Sequence, residues 1–380
     1  MEMKQYNKAP SMMFKKDHIV KQVLRKILDF LKSPIIYFVL MGIVLIVLGN
    51  LANKKIIPYS MSKTLATLVV YGIISIGFCL LLGYSGLASL GTAGFVGVGA
   101  MVAHIIIEKY PFYMYLGGQA INVSIFIALL GAILVSIILG MFVGFISLRI
   151  EGMYLAILTL GLAEIIFQLL ENIASLLNGT ATIKVSGANA ILWLTKLDNA
   201  SKCALVTVIF VILLILTQNL INSPTGRAMV TMKNSTSAAQ AMGISLIKYR
   251  LLAFVISTVY AAIGGLLYIT CVTSSLSTTD DPLLSLNTSL NILGAVIIGG
   301  SKSLWGVILG VMILFGIQPL FLNEIEFFEK NPSFMGLVSG ILIVVIVMFF
   351  PGGLSQLFLE LKLKVKRLFK KIKERMYGSY

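Results

Sequence analysis

Apolar stretches of about twenty residues recur along the chain, and that is the length a helix needs to cross a bilayer. Clear ones run near 34–52, 64–83, 119–147, 153–170, 203–220, 250–271, 303–321 and 334–350. Two more, near 89–107 and 289–301, are rich in glycine or small residues, and the second is short enough to turn back within the membrane. Lipid offers no hydrogen-bond partners, so a chain built this way must satisfy its backbone within helices. The expected fold is all-α: a polytopic membrane helix bundle of about ten transmembrane segments, with discontinuous Gly-rich segments. With 58% hydrophobic and only 12% charged residues, too few charges exist to cover this apolar surface in water.

The net charge of +15 raises the question of nucleic acid. The basic residues, however, lie at the two ends and in short connections, which points to a cytoplasmic membrane leaflet and not to nucleic acid. With the N-terminus inside and ten crossings, the cytoplasmic side collects 22 Lys and Arg against 6 Asp and Glu, and the outer side 8 of each. Only Lys54, Lys55 and Lys63 in the first outer loop run against this bias. The expected localisation is the bacterial cytoplasmic membrane, multi-pass, with both termini cytoplasmic.

Three regions follow from this pattern: a basic N-terminal segment at 1–33, a transmembrane domain at 34–351 with a long cytoplasmic loop at 221–250, and a basic tail at 352–380. The polar N-terminal stretch is too long for a signal-peptide n-region, so the first apolar run is expected to stay as an anchor. In the tail, Leu361, Val365, Leu368, Phe369 and Ile372 recur at helical spacing among lysines and arginines. That is the pattern of an amphipathic helix lying on anionic lipid, or of a solvated basic tail. Cys79, Cys203 and Cys271 have neither metal-ligand nor disulfide spacing.

The residues from Leu82 to Ala100 gather six glycines among small side chains. Glycine permits either close helix packing or an unwound helix, and in transporters an unwound segment often marks the substrate path. Gly83, Tyr84, Ser85, Gly86, Ser89, Gly91 and Thr92 are the candidate path residues here, with Thr159 and Glu164 from a later span. Glu164 is the one charged residue placed deep within a predicted span; His104 lies near the outer end of its own. An intramembrane carboxylate is a helix-interface partner, a contact for a substrate ammonium, or a proton-coupling group. The stretch Leu290–Gly306 has a similar small-residue character but does not fit a phosphate-binding loop. Between two spans, 221–250 carries four basic residues and no acid, and Ser237–Met242 allows a short helix lying along the inner surface, or a plain connection.

Taken in order, several blocks resemble the LivM-type permeases of branched-chain amino acid ABC transporters. GYSGLASLGTAGFVGVGA looks like the family's first signature, and Arg149–Asn172, with Gly152, Tyr154, Thr159, Leu160 and Glu164, like the next. The stretch from Ser223 to Ser257 resembles the family's coupling loop and following helix, through Gly226, Arg227, Ala238, Ala239, Met242, Gly243, Lys248 and Tyr249. IIGGSKSLWGVILG and MFFPGGL resemble the closing signatures, through Gly299, Gly300, Trp305, Gly306, Pro351 and Gly353. The resemblance covers roughly residues 65–356.

It implies a membrane subunit of an ATP-driven importer for leucine, isoleucine and valine, which is not itself an enzyme. The implied partners are a homologous second permease subunit, two cytoplasmic ABC ATPase subunits and an extracytoplasmic substrate-binding protein. No cofactor or metal is expected on this chain; ATP and Mg would sit on the ATPases. Gly226, Arg227, Lys233, Ala238, Ala239, Met242 and Gly243 would form the ATPase coupling loop. Two departures stand out: Thr92 occupies the place of a family histidine, and Thr236 and Ser237 precede the paired alanines where an acid is common. The same machine with urea, an amide or another amino acid as cargo is the nearest alternative. An ion-coupled secondary transporter would need more intramembrane titratable groups than Glu164 and His104, and an intramembrane enzyme a catalytic cluster that no span offers.

Overall fold

The computed structural model describes residues 34–53, 60–116, 119–147, 153–185, 199–278, 281–320, 333–350, 352–357 and 360. The basic N-terminal segment, Arg149, Gly152, Pro351 and the tail from 361 therefore lie outside the described residues.

Every predicted apolar segment contains a helix. In chain order the α-helices of the described residues are α1 (Pro34–Asn53), α2 (Ser60–Cys79), α3 (Thr92–Ala103), α4 (Ser124–Ser147), α5 (Met153–Asn178), α6 (Asn199–Asn222), α7 (Pro224–Asn234), α8 (Thr236–Ala241), α9 (Leu246–Leu267), α10 (Leu286–Gly299), α11 (Leu304–Val311), α12 (Ile317–Leu320) and α13 (Ser333–Phe349), with α7 and α8 in the 221–250 loop. Among the described residues, six helical stretches are long and apolar enough to cross a membrane, namely those built on α2, α3, α4, α5, α6 and α9. The helices from 35, 286, 304 and 336 are apolar but shorter. At 1.5 Å per residue, the 14 residues of α10 reach about 21 Å, short of a hydrocarbon core of about 30 Å.

Among the boundaries that differ from the sequence reading, two change the assignment of residues. Residues 119–122 form strand β2, paired antiparallel with β1 (Tyr113–Leu116), so the helix begins only at Ser124. The helix placed at 153–170 runs on to Asn178, which brings Glu171 into the same apolar helix as Glu164. A second small sheet, β3 (Thr182–Lys184) on β4 (Ser275–Ser277), ties the end of α5 to the end of α9.

The described residues include four π-helical turns, at Leu80–Tyr84, His104–Lys109, Tyr268–Val272 and Met312–Gly316, the first three closing α2, α3 and α9. Turns of this kind shift the helix face and recur at functional positions. The second carries His104, which is buried. Its Nδ1 lies 2.5 Å from the Lys184 carbonyl, and Asn178 Nδ2 lies 3.0 Å from its Nε2 and 2.9 Å from the Thr182 carbonyl. An amide nitrogen can only donate, so Nε2 accepts, Nδ1 carries the proton and the imidazole is neutral. His104 thus joins α3 to the β3–β4 sheet.

The centre of the bundle is α2, α3 and α9, whose membrane-length windows are mostly buried; α4, α5 and α6 form an outer layer with large exposed apolar faces. Between lipid-soaked helices no hydrophobic driving force remains, so association depends on close packing, which small residues permit. A β-carbon on Gly99 of α3 would overlap the Ala262 carbonyl of α9, and one on Gly265 of α9 would overlap the Val96 carbonyl of α3. The two backbones touch at this crossing.

Candidate functional site

From Ser85 to Gly91 the backbone is non-helical, between the π-turn that closes α2 and the first turn of α3. Non-helical backbone at membrane depth must find other partners. Here it does so through hydroxyls, from neighbouring helices and from the segment itself. Thr159 Oγ1 of α5 accepts from the Leu90 N–H at 3.0 Å, Ser289 Oγ of α10 accepts from the Ala93 N–H at 3.1 Å, and Ser89 Oγ accepts from the Gly91 N–H at 3.3 Å. Gly91 sits against Thr159, whose carbonyl oxygen would lie 2.8 Å from an added β-carbon.

Beside this segment opens a cleft of about 350 Å³ between α5, Leu90 and the start of α10. Glu164, Gln168 and Glu171 of α5, with Thr278, Ser285 and Ser289, supply its polar groups, and Leu90, Leu160, Ala163, Phe167, Leu284 and Leu286 its apolar ones. Spacings of four and three residues place Glu164, Gln168 and Glu171 along one helix face. The sequence reading singled out Glu164 and missed Gln168, which lies within the predicted span, and Glu171, which lies just past its end; the helical periodicity followed on from Glu164 would have found both.

The other candidate path residues are distributed. Ser89 and Thr92 are buried at a separate, very small hydroxyl-lined cavity with Ser257 and Thr258 of α9. Ser85 Oγ donates back to the Leu81 carbonyl at 2.6 Å. Gly83, Tyr84 and Gly86 lie at the end of α2 against the 301–302 turn and α7. Tyr84 Oη donates to the Lys302 carbonyl at 3.1 Å, Cys79 Sγ to the Ser301 carbonyl at 3.2 Å, and a β-carbon on Gly83 would overlap that Ser301 carbonyl. The two small-residue stretches thus meet.

The loop at 221–250 is largely helical. Ser223 caps α7, accepting from the Gly226 N–H at 3.4 Å, and Ser235 caps α8, accepting from the Ala238 N–H at 3.2 Å. Helix α8 ends in a left-handed Gly243 (φ 76°), with Gly243 N–H to Gln240 O at 2.9 Å and Ile244 N–H to Ala239 O at 2.9 Å. Those two bonds are the Schellman pattern that stops a helix at glycine. Ala239 faces inward and is fully buried, whereas Arg227, Ala238, Met242, Gly243 and Ile247 are exposed, so the element presents a surface of mixed apolar and basic character. Lys233 points the other way. Its ammonium donates to the Leu82 and Gly83 carbonyls at 3.1 and 2.8 Å. Among the described residues, no group of three or more His, Cys, Asp or Glu is placed to hold a metal ion.

A family model described as branched-chain amino acid transport system / permease component matches residues 60–347. Two curated proteins described as high-affinity branched-chain amino acid transport system permease protein LivM, from Salmonella typhimurium and Escherichia coli K12, are each 25% identical to the chain over 334 residues, covering 81% of it and 74% of themselves. A Methanocaldococcus jannaschii protein described as a probable branched-chain amino acid transport permease protein LivM is 22% identical over 321 residues, covering 75% of this chain and 90% of its own. No solved structure matches the chain at a significant level.

Proposed function

The chain belongs to the family of branched-chain amino acid transport permease components, and from that premise we propose that it is the membrane-spanning subunit of an ATP-driven importer that translocates leucine, isoleucine and valine. It works beside a homologous second permease subunit, two cytoplasmic ATPases that hold ATP and Mg, and an extracytoplasmic binding protein that delivers the substrate. It lies in the cytoplasmic membrane with both termini and the 221–250 element inside.

The observation that carries the cargo reading is the cleft on α5. A branched-chain amino acid presents an ammonium, a carboxylate and a branched aliphatic group. Glu164 and Glu171 suit the ammonium, the hydroxyls of Ser285 and Ser289 suit the carboxylate, and Leu160, Phe167 and Leu284 suit the aliphatic group. The exposed face of α5, with Tyr154, Ile157, Gly161, Glu164 and Gln168, supports its role as the face toward the second permease subunit, because the cleft would then lie between the two halves.

Mechanistically, ATP-driven closure of the ATPases moves α8, and the bundle tilts between outward- and inward-facing states. A shift from 1:99 to 99:1 needs about 5.5 kcal/mol of differential binding, which an ATP cycle can supply. The test is uptake of radiolabelled leucine, with urea in parallel, by proteoliposomes holding the complete complex with and without internal ATP. ATP-dependent leucine uptake is expected. Urea uptake would change the cargo and keep the machine; uptake of either that is indifferent to ATP would overturn the importer reading.

A further inference from the structure

The 223–245 element and the non-helical segment beside the cleft are joined by one side chain. The last turn of α2 leaves carbonyls for non-helical donors to satisfy and carries the negative end of the helix dipole. Lys233, at the end of α7, supplies its ammonium to two of them, Leu82 at 3.1 Å and Gly83 at 2.8 Å. Its stem lies over Gly86, where an added β-carbon would stand 3.2 Å from Lys233 Cγ. Seven residues beyond Gly83, the Leu90 N–H is held by Thr159 of α5. On the other side, Lys233 is followed within two residues by Ser235, the cap of α8.

We propose that Lys233 is a positioning residue of the transport cycle: its ammonium latches the π-turn end of α2 to α7, so that movement of α8 is transmitted to the Ser85–Gly91 segment. This rests on the importer reading for what moves α8. The physical reason is that charge-assisted bonds to carbonyls are strong and directional, and a break would strand both the ammonium and the carbonyls away from full solvation. The two elements therefore move together. Arg227, exposed on the same helix, has no such inward contact among the bonds of the described residues.

The experiment uses the complete complex in proteoliposomes and follows amide hydrogen exchange with and without a non-hydrolysable ATP analogue, alongside uptake and ATP hydrolysis. In the wild type, nucleotide should change protection both at 236–244 and at 85–91. In Lys233→Met the change at 236–244 should persist and that at 85–91 should vanish. Leucine taken up per ATP should then fall at least about fivefold, the low end of coupling between sites. Lys233→Arg, which keeps the charge and donors, should restore both. An undiminished response at 85–91 in Lys233→Met would overturn the latch. Should that variant fail to assemble, the wild type decides: a nucleotide response at 236–244 with none at 85–91 overturns it equally. Wild-type uptake indifferent to ATP would instead count against the importer reading, and the exchange data would still read the latch.

Discussion

Gly99 of α3 and Ala262 of α9 stand backbone to backbone, so that a β-carbon at Gly99 would occupy the space of the Ala262 carbonyl oxygen. Gly265 and Val96 repeat the relationship three residues along α9. Either Gly99→Ala or Gly265→Ala must push the two central helices apart. Overpacking of this kind costs about 1–3 kcal/mol, and thermal unfolding of the purified complex in detergent should show a lowered midpoint for both. Gly336→Ala, where nothing lies within 4 Å of the added carbon, should not lower the midpoint in the same measurement. Equal midpoints for all three would remove the close crossing as the fold's central contact.

Gly243 tests α8 in a different way. Space around it is open, but its φ of 76° belongs to the left-handed region. A branched residue there costs on the order of 1–2 kcal/mol through backbone strain alone. Gly243→Val should fray the end of α8 and lower ATPase stimulation by the binding protein, with membrane insertion intact. Gly243→Asn should be much milder, because asparagine visits that conformation readily. Normal coupled transport in Gly243→Val would end the assignment of this element to ATPase docking.

Glu164 is exposed on α5 and lines the cleft. Glu164→Gln removes its charge and keeps its shape, so the complex should assemble with stability changed by no more than about 0.5 kcal/mol, as at other exposed sites. A lost charge-assisted bond to an ammonium is worth about 1.5–3 kcal/mol, or roughly 10- to 150-fold in apparent affinity. Leucine concentration dependence in proteoliposomes reads this. An unchanged dependence would take the ammonium contact away from Glu164.

Burial, then repulsion from the neighbouring Lys302, hold the Lys233 ammonium below the usual lysine range, with Cys79 acting in the opposite sense. Tyr84, bonded to the Lys302 carbonyl, is the other titratable group at this junction among the described residues. Uptake per ATP should therefore fade as pH rises through the folded Lys233 value, at lower pH than an ordinary lysine would give. Lys233→Arg should flatten the profile, since arginine keeps its proton. Stability moves the other way. The unfolded chain holds the proton more tightly, so between the folded and unfolded values this residue's contribution to stability rises with pH. Coupling and stability falling together over that window would contradict the assignment.

The helical segments were legible because a helix exposed to lipid must be apolar around its whole circumference, and a run of such residues is visible in one dimension. Boundaries were less so. Residues 119–122 adjoin the apolar run of α4 with no helix breaker between, but Leu116 pairs with Gln119 and they form a strand, a choice made by backbone pairing. The α8 helix was legible in Ser237–Met242, and its stop at Gly243 follows from the left-handed conformation that glycine adopts without strain.

Glycine content by itself left two readings of Leu82–Ala100 open, and the structure divides the stretch between them. Gly99 is a packing residue against α9, while Ser85–Gly91 is the unwound segment, its Leu90 amide met by Thr159 from 69 residues away and the Ala93 amide in the first turn beyond it by Ser289 from 196 residues away. Partners at that separation are set by how helices cross, which no local pattern encodes. Lys233 is the sharpest case. In the sequence it is one of four basic residues in a loop and resembles a docking cation; only the placement of α7 under the end of α2 turns its ammonium onto Leu82 and Gly83. That the chain lives in lipid, and which segments are helices, follows from residue order, because the bilayer imposes length and apolarity residue by residue. The tertiary structure decided which polar groups meet, because lipid gives stray hydrogen-bonding groups no alternative partner and packing alone chooses the one each receives.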